Sequence, residues 1–526
     1  MTQIAVFDWI ACHANGQPDR LALVDDVSGR SFTYAELDRR IGALATFFGE
    51  ELGVGAGERI ATLGHNSTNI LEVQFACMRL GAIFVPLNVR LATPECVEVL
   101  KDCGASLVLH DTEFNAVAAE VAAAVGAHAI EMNEWGHQCA YEDAIANSRP
   151  RGPRHGGTLD DTWTLIYTSG TTGRPKGVLI SYQMVLFHAV NYGFATGVTR
   201  DSHGLTFLPM FHTSGLNLPA NPILHAGGCV TVMRRFDPAR ALELMAREAQ
   251  PVTHAFGVPA NYLFMRQLPT FAEADLRSVR SLGVGGAPMP IPLLQAYADK
   301  GVAMQQTFGM TETGPTVTIL AAERGFDKLG SAGLPAVHVE TMITDRDGAP
   351  VADGEIGELC VRGPSITTGY WNRPDESAEA FREGWFRTGD MARQDAEGYF
   401  YIVDRCKNMY ISGGENVYPA EVERVLEKYE GIVEVAVISE PDDKWGEVGC
   451  AVVVRDPDSQ LTEEQILQYC RGQIAGYKVP KYVSFTGSLP RNATGKVDRR
   501  KLVQLMQSEA RDAPPAAPGA TPSVSA

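Results

Sequence analysis

The sequence predicts an α/β protein with a large N-terminal α/β domain and a small C-terminal α+β domain. Its 526 residues are too many for one ordinary hydrophobic core, so two or more domains are expected. Apolar runs typical of strands alternate with helical segments through roughly the first hundred residues. A second series of helix and strand patterns begins near Asp404 and predicts a compact α+β unit.

The N-terminal elements follow from caps and from the spacing of apolar residues. Thr33 and Glu36 form a capping box, and Thr93-Pro94 supplies a cap followed by a first-turn proline. The predicted elements are a helix from Thr33 towards Glu50, a strand over 59–63, a helix over 67–80, a strand over 82–87, a helix from Thr93 and a strand over 106–109. Such alternation is typical of a largely parallel sheet with helices on both faces.

The C-terminal unit begins with an amphipathic helix over 419–429, which ends just before Gly431. Strands are predicted over 432–438 and 450–454. Thr462 and Gln465 then cap a further helix. The Ala/Pro/Ser-rich tail over 509–526 is predicted to be disordered.

Composition excludes several classes of protein. The 45 basic and 63 acidic side chains give a net charge of −18, which argues against a protein that coats nucleic acid. The ten cysteines contain no CxxC pair and the twelve histidines no zinc motif, so most thiols are expected to be reduced and buried. We find neither an apolar run of about 18 residues nor a secretory signal, and therefore expect a cytoplasmic protein without a transmembrane segment.

The segment YTSGTTGRPKG, over 167–177, is the most informative part of the chain. It lies between the apolar runs 163–167 and 178–180 and combines hydroxyls, glycines and two cations. Gly170, Gly173 and Gly177 allow positive φ values, so main-chain N–H groups can point inwards. Hydroxyl donors, Arg174 and Lys176 suit anionic oxygens. The segment is therefore predicted to bind phosphate.

Two other motif families fit poorly. A Walker A loop needs Gly-Lys-Ser/Thr before a helix, whereas Lys176 stands between proline and glycine and a strand follows. The GxSxG motif of serine hydrolases is absent around Ser214 and Ser412, because His212 and Tyr410 occupy the positions that need glycine. The glycines at 53, 55 and 57 do not have GxGxxG spacing, and most simply form a turn.

The segment YTSGTTGRPKG resembles the phosphate loop of the adenylate-forming (AMP-binding) superfamily, in its acyl-CoA synthetase or fatty-acid–CoA ligase branch. Seven further segments resemble that superfamily in the same order along nearly the whole chain. They are Leu208-Pro209-Met210-Phe211-His212, Gly285-Gly286-Ala287-Pro288, Thr307-Phe308-Gly309-Met310-Thr311-Glu312, Arg387-Thr388-Gly389-Asp390, Val403-Asp404-Arg405, Ile411-Ser412-Gly413-Gly414-Glu415-Asn416 and Pro490-Arg491-Asn492-Ala493-Thr494-Gly495-Lys496.

The resemblance implies a large multi-sheet N-terminal adenylation domain over 1–403 and a small mobile C-terminal α+β domain over 404–508. It implies an AMP-forming ligase that activates a carboxylic acid with ATP and Mg²⁺ and transfers the acyl group to CoA. Three alternatives stay open: transfer to a carrier-protein thiol, a luciferase-like oxidative second step, and a nucleotide-binding homologue without catalysis. The implied partners are small molecules and no nucleic acid, and the protein is expected to be a monomer or a homodimer.

The resemblance also implies a role for individual residues. Lys496 would bridge the carboxylate and the α-phosphate, Glu312 and Thr168 would hold Mg²⁺, and His212 would lie beside the acid. Asp390 would accept hydrogen bonds from the ribose, Phe308 would stack on adenine, and Arg405 would support ribose and phosphate. Without this context, Lys496 is an ordinary surface lysine, Glu312 a helix-capping residue and Asp390 part of a turn.

The complete implied ATP-binding set is larger. It comprises Thr168, Ser169, Gly170, Thr171, Thr172, Gly173, Lys176, Gly286, Ala287, Pro288, Thr307, Phe308, Gly309, Met310, Thr311, Asp390 and Arg405. Asp404 matches the hinge about which the small domain turns between the two half-reactions. Ser412, Gly413 and Gly414 would line the path of the CoA thiol, although the same residues also form a plausible turn.

The acid is expected to bind between apolar segments that include His212, Phe211, Phe256, Gly257, Val258 and Gly285. Amino-acid-activating relatives carry an aspartate at the position of His212, so an amino-acid substrate is disfavoured. The segments 211–216, 255–261 and 284–288 contain no lysine or arginine for a second carboxylate. A monocarboxylic acid, either fatty, aryl or alicyclic, is therefore expected.

Overall fold

The computed structural model of the protein describes residues 4–512, except for 134, 154–156, 170–174, 288, 406–407, 413–414, 443–444, 472, 475 and 493–494. Its helices are α1 (Trp9–Gly16), α2 (Tyr34–Thr46), α3 (Thr68–Leu80), α4 (Thr93–Cys103), α5 (Asn115–Val125), α6 (Ala140–Asn147), α7 (Tyr182–Thr196), α8 (Thr213–Asn217), α9 (Ala220–Ala226), α10 (Pro238–Ala246), α11 (Pro259–Arg266), α12 (Ile291–Ala298), α13 (Pro374–Ala380), α14 (Pro419–Leu426), α15 (Glu463–Arg471) and α16 (Arg499–Asp512).

The strands are β1 (Leu21–Asp25), β2 (Ser31–Thr33), β3 (Arg59–Leu63), β4 (Ile83–Pro86), β5 (Ala105–His110), β6 (His128–Glu131), β7 (Thr162–Ser169), β8 (Pro175–Ser181), β9 (His203–Thr206), β10 (Cys229–Val232), β11 (His254–Gly257), β12 (Ser281–Gly285), β13 (Met304–Phe308), β14 (Thr318–Ile319), β15 (Leu334–Pro335), β16 (Glu340–Thr344), β17 (Gly357–Arg362), β18 (Phe381–Arg382), β19 (Trp385–Gln394), β20 (Phe400–Arg405), β21 (Tyr410–Ser412), β22 (Glu415–Val417), β23 (Ile432–Asp442), β24 (Gly446–Arg455) and β25 (Tyr482–Phe485).

Contacts divide the chain into two compact units. The first comprises Met1–Thr388 and Ala392–Ile402, and the second comprises Gly389–Met391 and Val403–Ala526. The chain passes from the first unit to the second within β20, one residue before Asp404. Helix α16 reaches Asp512, so the first four residues of the tail predicted to be disordered over 509–526 are helical.

The first unit contains two large sheets whose centres are parallel, which confirms the predicted α/β class. The six-stranded sheet has the order β6-β5-β3-β4-β7-β8 and is parallel except for the antiparallel pair of β7 and β8. The nine-stranded sheet has the order β15-β14-β13-β12-β11-β9-β10-β1-β2. It is parallel from β13 to β1 and antiparallel at both edges.

A third sheet of five strands was not predicted from the sequence. Its order is β16-β17-β19-β18, with β20 also paired to β19, and neighbouring pairs such as β16 with β17 are antiparallel. In the second unit, β22-β21-β24-β23 form a sheet in which β25 pairs with β24, and α14 packs against β23. This arrangement confirms the predicted α+β character of the C-terminal unit.

Side-chain caps start helices α2 and α7. Glu36 and Thr33 make both hydrogen bonds of the predicted capping box at the start of α2. The Ser181 hydroxyl accepts a hydrogen bond from the Met184 N–H and so caps α7. The nine cysteines that the structure describes are all free, and most of them are buried. In the described part of the chain, no helix combines the length and apolar character needed to span a bilayer.

A buried charge network fixes α2 against α3 and α6. The Arg40 guanidinium binds both carboxylate oxygens of Glu72, with its Nε 2.8 Å from Oε1 and an Nη 3.0 Å from Oε2. It also binds Glu142, and the Tyr141 hydroxyl donates to Glu72 at 2.7 Å. Burial opposes ionisation of Glu72, but the Arg40 charge holds the pKa of this carboxyl below its usual value.

We predict that Arg40→Met destabilises the protein strongly, because the substitution leaves the fully buried Glu72 carboxylate without its cation. The expected loss in free energy of unfolding is about 3–5 kcal/mol. Chemical denaturation followed by circular dichroism measures this loss, and Arg39→Met on the exposed face of the same helix is the control.

The deficit of Arg40→Met should shrink as the pH falls. Without the guanidinium, burial raises the pKa of Glu72, so the carboxyl becomes neutral in the folded state at mildly acidic pH. A deficit that does not depend on pH, or an equal loss in Arg39→Met, would contradict the assignment of the effect to the buried charge.

Candidate active site

The predicted phosphate-binding segment joins two strands of a hairpin at the edge of the six-stranded sheet. In the register of β7 and β8, Thr168 pairs with Lys176 and Ser169 pairs with Pro175. Thr168 and Lys176 therefore lie side by side where the hairpin ends. The predicted ATP-binding residues Gly170, Thr171, Thr172 and Gly173 lie outside the described residues.

Glu312 lies in a short 3₁₀ turn, Thr311–Thr313, which follows β13. Glu312 is buried, with 6% of the residue exposed. The Thr367 N–H donates to the Glu312 carbonyl oxygen at 2.8 Å, and the Tyr370 hydroxyl donates to Glu312 Oε1 at 3.1 Å. Both the backbone and the carboxylate of Glu312 are thus held by the segment 367–371.

The same segment also holds the hairpin. The Leu179 N–H donates to the Gly369 carbonyl at 3.1 Å, and the Trp371 N–H donates to the Gly177 carbonyl at 2.8 Å. The Lys176 ammonium lies 5.4 Å from the centre of the Tyr370 ring. Segment 367–371 therefore links the carboxylate of Glu312 to the cation of Lys176, and through strand pairing to Thr168.

These residues fit the chemistry of a magnesium site. Thr168 and Glu312 offer a hydroxyl and a carboxylate, which are the hard oxygen ligands that Mg²⁺ prefers. Mg²⁺ commonly takes few protein ligands and completes its shell with phosphate oxygens and water. Among the described residues, no cluster of three or more His, Cys, Asp or Glu side chains could hold a metal by itself.

The other predicted nucleotide-binding residues of the first unit lie at the carboxyl ends of two neighbouring parallel strands. Gly285 pairs with Thr307 at the ends of β12 and β13. Gly286 and Ala287 follow β12 and are exposed, whereas Pro288 lies outside the described residues. The predicted residues at the end of β13 and directly after it are Thr307, Phe308, Gly309, Met310 and Thr311. Ligands of parallel α/β sheets commonly bind at this edge.

Gly309 is required by a close backbone approach. A Cβ atom at this position would collide with the carbonyl group of Pro315. The chain therefore turns back on itself tightly between β13 and the Glu312 turn. This approach restricts where the segment 307–312 can lie, and so it contributes to the position of Glu312.

The predicted acid pocket has an aromatic ring lying on glycine. Phe256 of β11 pairs with Gly283 of β12, and its side chain is buried. A Cβ atom at Gly283 would collide with the Phe256 ring, and one at Gly285 would lie 3.0 Å from that ring and 2.8 Å from Thr307 Oγ1. The Phe256 ring therefore covers the face of β12 on which Gly283 and Gly285 present no side chains.

Gly257 and Val258 follow Phe256 in the chain. A Cβ atom at Gly257 would lie 3.1 Å from the Tyr262 ring and 3.2 Å from the Phe207 ring, so this glycine is also surrounded by aromatic side chains. The Val258 N–H donates to Asn261 Oδ1 at 2.9 Å and starts α11.

His212 lies at the end of segment 208–212, directly before α8. Its half-buried ring is tilted against that of Phe211, with 4.7 Å between the ring centres. Asn66 holds this segment, because its side-chain nitrogen donates to the Leu208 carbonyl and its oxygen accepts from the Met210 N–H, both at 2.8 Å. Asn66 was not predicted from the sequence, since no local pattern connects it with a segment more than 140 residues away.

The second unit brings together Asp390, Arg405 and Lys496. Arg405 Nε lies 2.8 Å from Asp390 Oδ1. The Lys496 side chain reaches solvent and lies in a tight turn, in which the Lys496 N–H donates to Asn492 Oδ1 at 3.1 Å. Desolvation by the surrounding protein, and then the like charge of Arg405, lower the pKa of Lys496, whereas Asp390 raises it.

Asp404, the predicted hinge, is hydrogen-bonded within the second unit. Its Oδ2 accepts from the Ala420 N–H at 2.8 Å, in the first turn of α14, and its Oδ1 accepts from the Asn408 side chain at 3.0 Å. Ser412 ends β21 and pairs with Glu415 of β22. The predicted CoA-binding residues Gly413 and Gly414 lie outside the described residues.

A cavity of about 220 Å³ lies elsewhere in the first unit. Its lining includes Trp9, Tyr182 and His225 and none of the predicted site residues. We therefore place the candidate site at the hairpin and the ends of β12 and β13, where the polar groups suited to a nucleotide are found, and not at this cavity.

Comparison with known proteins relates this arrangement to enzymes. Residues 10–371 match the family described as AMP-binding enzyme, and residues 421–496 match the AMP-binding enzyme C-terminal domain. The chain is 43% identical to a feruloyl-CoA synthase of Amycolatopsis sp, over 89% of this chain and 93% of the relative. It is 39% identical to an indoleacetate–CoA ligase of Aromatoleum aromaticum (95% and 98%) and 37% identical to a long-chain-fatty-acid–CoA ligase of Mycobacterium tuberculosis (92% and 95%).

Solved structures agree over nearly the whole chain. ATP-bound MatB from Rhodopseudomonas palustris has a TM-score of 0.89 at 32% identity, over 95% of this chain and 99% of that one. The o-succinylbenzoate CoA synthetase of Bacillus subtilis, in complex with the acyl-adenylate intermediate OSB-AMP, has a TM-score of 0.83 at 32% identity (95% and 98%). The same synthetase in complex with ATP and magnesium ion has a TM-score of 0.82 at 31% identity (94% and 99%).

We predict that Gly283→Ala displaces the Phe256 ring, because the added methyl group occupies the space of that ring. The expected loss in free energy of unfolding is about 1–3 kcal/mol. Chemical denaturation measures it, with Gly16→Ala as a control, since a Cβ atom at Gly16 in helix α1 meets nothing within 4 Å. Equal stability of Gly283→Ala and the native protein would contradict the close packing of ring and glycine.

Proposed function

The chain belongs to the AMP-binding enzyme family, and we propose that it is an AMP-forming acyl-CoA synthetase. In the first half-reaction a carboxylate attacks the α-phosphate of ATP and expels pyrophosphate, leaving an acyl-adenylate. In the second, the CoA thiol attacks the acyl carbonyl, forms the thioester and releases AMP. One observation carries the proposal: segment 367–371 links the Glu312 carboxylate to the Lys176 cation beside the ends of β12 and β13.

The first half-reaction gathers negative charge on phosphoryl oxygens, and fixed positive groups lower its barrier. Lys176 would bind phosphate from the end of the hairpin, and Thr168 and Glu312 would hold Mg²⁺. Bound Mg²⁺ would neutralise part of the phosphate charge and orient the leaving pyrophosphate. Lys496 would bridge the acid and the α-phosphate from the second unit.

The ribose and adenine would meet the remaining residues of the set. The Asp390 carboxylate suits a pair of ribose hydroxyls, and its ion pair with Arg405 orients it. The Phe308 ring offers a face for adenine but no phenolic hydroxyl. Gly286 and Ala287 leave open backbone beside it.

The second half-reaction would use the small domain in another orientation, with 1–403 as the adenylation domain, 404–508 as the mobile domain and Asp404 as the hinge. Ser412, Gly413 and Gly414 would then line the path of the thiol. The side chain of Asp404 is hydrogen-bonded to Asn408 and Ala420, so it would move together with the small domain. CoA is proposed as the acceptor because the compared relatives are CoA ligases.

An aryl acid is the proposed substrate class. The pocket segments carry the Phe211 and Phe256 rings, and the Phe256 ring packs on Gly283 and Gly285, so the predicted pocket is rich in aromatic surface, which suits a flat aromatic ring. The two most similar relatives named above are a feruloyl-CoA synthase and an indoleacetate–CoA ligase, which favours the same class. A linear fatty acid is the second candidate, supported by the fatty-acid–CoA ligase at 37% identity.

We predict acid-dependent pyrophosphate release with ferulic or indole-3-acetic acid, and formation of the matching thioester when CoA is present. We expect kcat/KM for the better aryl acid to exceed that for linear fatty acids by at least about tenfold, which corresponds to about 1.4 kcal/mol of transition-state binding. Preference for a fatty acid would overturn the aryl assignment alone. Absence of pyrophosphate release with every acid would overturn the proposed function.

We predict that Lys496→Ala lowers acid-dependent ATP–pyrophosphate exchange by about 10²–10³-fold, because one fixed donor to the transition state is lost. Thiolysis of a supplied acyl-adenylate should be spared. Lys501→Ala, which removes an exposed lysine five positions further on, is the control. Equal loss of both half-reactions in Lys496→Ala would contradict the role proposed for this residue.

The role proposed for Lys496 also predicts how the rate of ATP–pyrophosphate exchange depends on pH. Since its pKa is lowered, the exchange rate should fall as the pH rises through that pKa and the ammonium loses its proton. Lys496→Arg keeps its charge throughout this range, so any exchange activity that it retains should lose this alkaline limb. An unchanged alkaline limb in Lys496→Arg would show that another group titrates.

A further inference from the structure

We propose that Tyr370 is a positioning residue that orients the Glu312 carboxylate for Mg²⁺ and holds Lys176 for phosphate. The inference rests on the proposed function, because it assigns Mg²⁺–ATP to the site formed by Thr168, Lys176 and Glu312. It adds a residue that lies outside the eight segments from which the sequence predicted that site.

The hydroxyl of Tyr370 acts on Glu312. It donates a hydrogen bond of 3.1 Å to Oε1, while the Thr367 N–H holds the backbone carbonyl of the same residue at 2.8 Å. These two hydrogen bonds restrict the rotation of the Glu312 side chain, and they therefore restrict the direction of Oε2 as well. Metal-binding carboxylates are generally oriented by such outer hydrogen bonds.

The ring of Tyr370 acts on Lys176. The ammonium lies 5.4 Å from the ring centre, within the range of a cation–π contact. Lys176 lies in β8, and Tyr370 forms an isolated bridge with Val178 of the same strand. One side chain therefore contacts the cation through its π face and the carboxylate through its hydroxyl.

Asp102 holds the segment that carries Tyr370 through the two residues Trp371 and Arg373. The indole N–H of Trp371 donates to the Asp102 carbonyl at 3.2 Å, and Arg373 binds Asp102 Oδ1 at 2.6 Å. The Tyr167 hydroxyl, next to Thr168 in β7, donates to Asp102 Oδ2 at 2.6 Å. Asp102 at the end of α4 thus ties both the hairpin and the segment that carries Tyr370, so the position of the ring is set before a ligand arrives.

Two substitutions separate the two contacts. Tyr370→Phe removes the hydroxyl and keeps the ring, whereas Tyr370→Leu removes both. The matched control is Tyr401→Phe, which removes a half-buried tyrosine hydroxyl that donates to the Asp395 carboxylate at 3.3 Å, outside the site. Thermal unfolding of each variant reports whether the fold is kept.

The readout is the affinity for ATP, measured by calorimetry with and without Mg²⁺ and in the absence of acid and CoA. For Tyr370→Phe we expect the gain in ATP affinity that Mg²⁺ provides to fall by about 10- to 100-fold. Its affinity for ATP without Mg²⁺ should be unchanged, because the ring still contacts Lys176. Tyr370→Leu should also bind ATP more weakly without Mg²⁺, and Tyr401→Phe should match the native protein in both conditions.

Two results would overturn the inference. The first is a full Mg²⁺-dependent gain in Tyr370→Phe. The second is an equal loss of ATP affinity with and without Mg²⁺ in Tyr370→Phe, together with a lower unfolding temperature, which would make the hydroxyl structural only. Failure of the proposed function is distinguishable, because it would appear as a native protein that binds Mg²⁺–ATP normally but activates no acid.

Discussion

The antiparallel pairing of β7 with β8 is the constraint on which the candidate site depends. In an otherwise parallel sheet, β8 runs antiparallel to β7, so Thr168 lies opposite Lys176. Strand β8 then accepts segment 367–371 through backbone hydrogen bonds at Gly177 and Leu179. Through that segment the Glu312 turn, which follows the nine-stranded sheet, is attached to the six-stranded sheet. The groups proposed to bind phosphate and metal are therefore positioned by strand pairing.

A second set of constraints comes from close approaches that exclude side chains. Gly309 lies against the Pro315 carbonyl, and Gly283 and Gly285 lie under the Phe256 ring. These positions differ in what they control. The first restricts the path of the backbone that leads to Glu312, and the other two shape the wall proposed to receive the acid. The proposed nucleotide and acid sites thus depend on adjacent strands, β12 and β13, which would hold the two substrates next to each other.

How much the sequence could predict depended on the distance between partners along the chain. The helix after Thr33 was predictable because its capping residue Glu36 is three positions away. The contact between Tyr370 and Glu312 spans 58 residues and that between Asn66 and Leu208 spans 142, and neither leaves a local pattern. The sheet of β16–β20 was also missed, because the early alternation of strands and helices indicated a largely parallel sheet. Lys496 was singled out through family resemblance, since an exposed lysine in a turn carries no signal of its own.

The Phe256 ring and the glycine beneath it have a consequence for engineering the substrate range. The two positions share one volume, so the size of one residue sets the size allowed at the other. A library that varies either position alone would sample mainly collisions or voids. A library that exchanges volume between positions 256 and 283, with the smaller residue at 256 whenever the larger is at 283, would keep the packing and move the proposed wall of the predicted acid pocket. Randomising positions 256 and 283 together is therefore the efficient way to find variants that accept acids of different width.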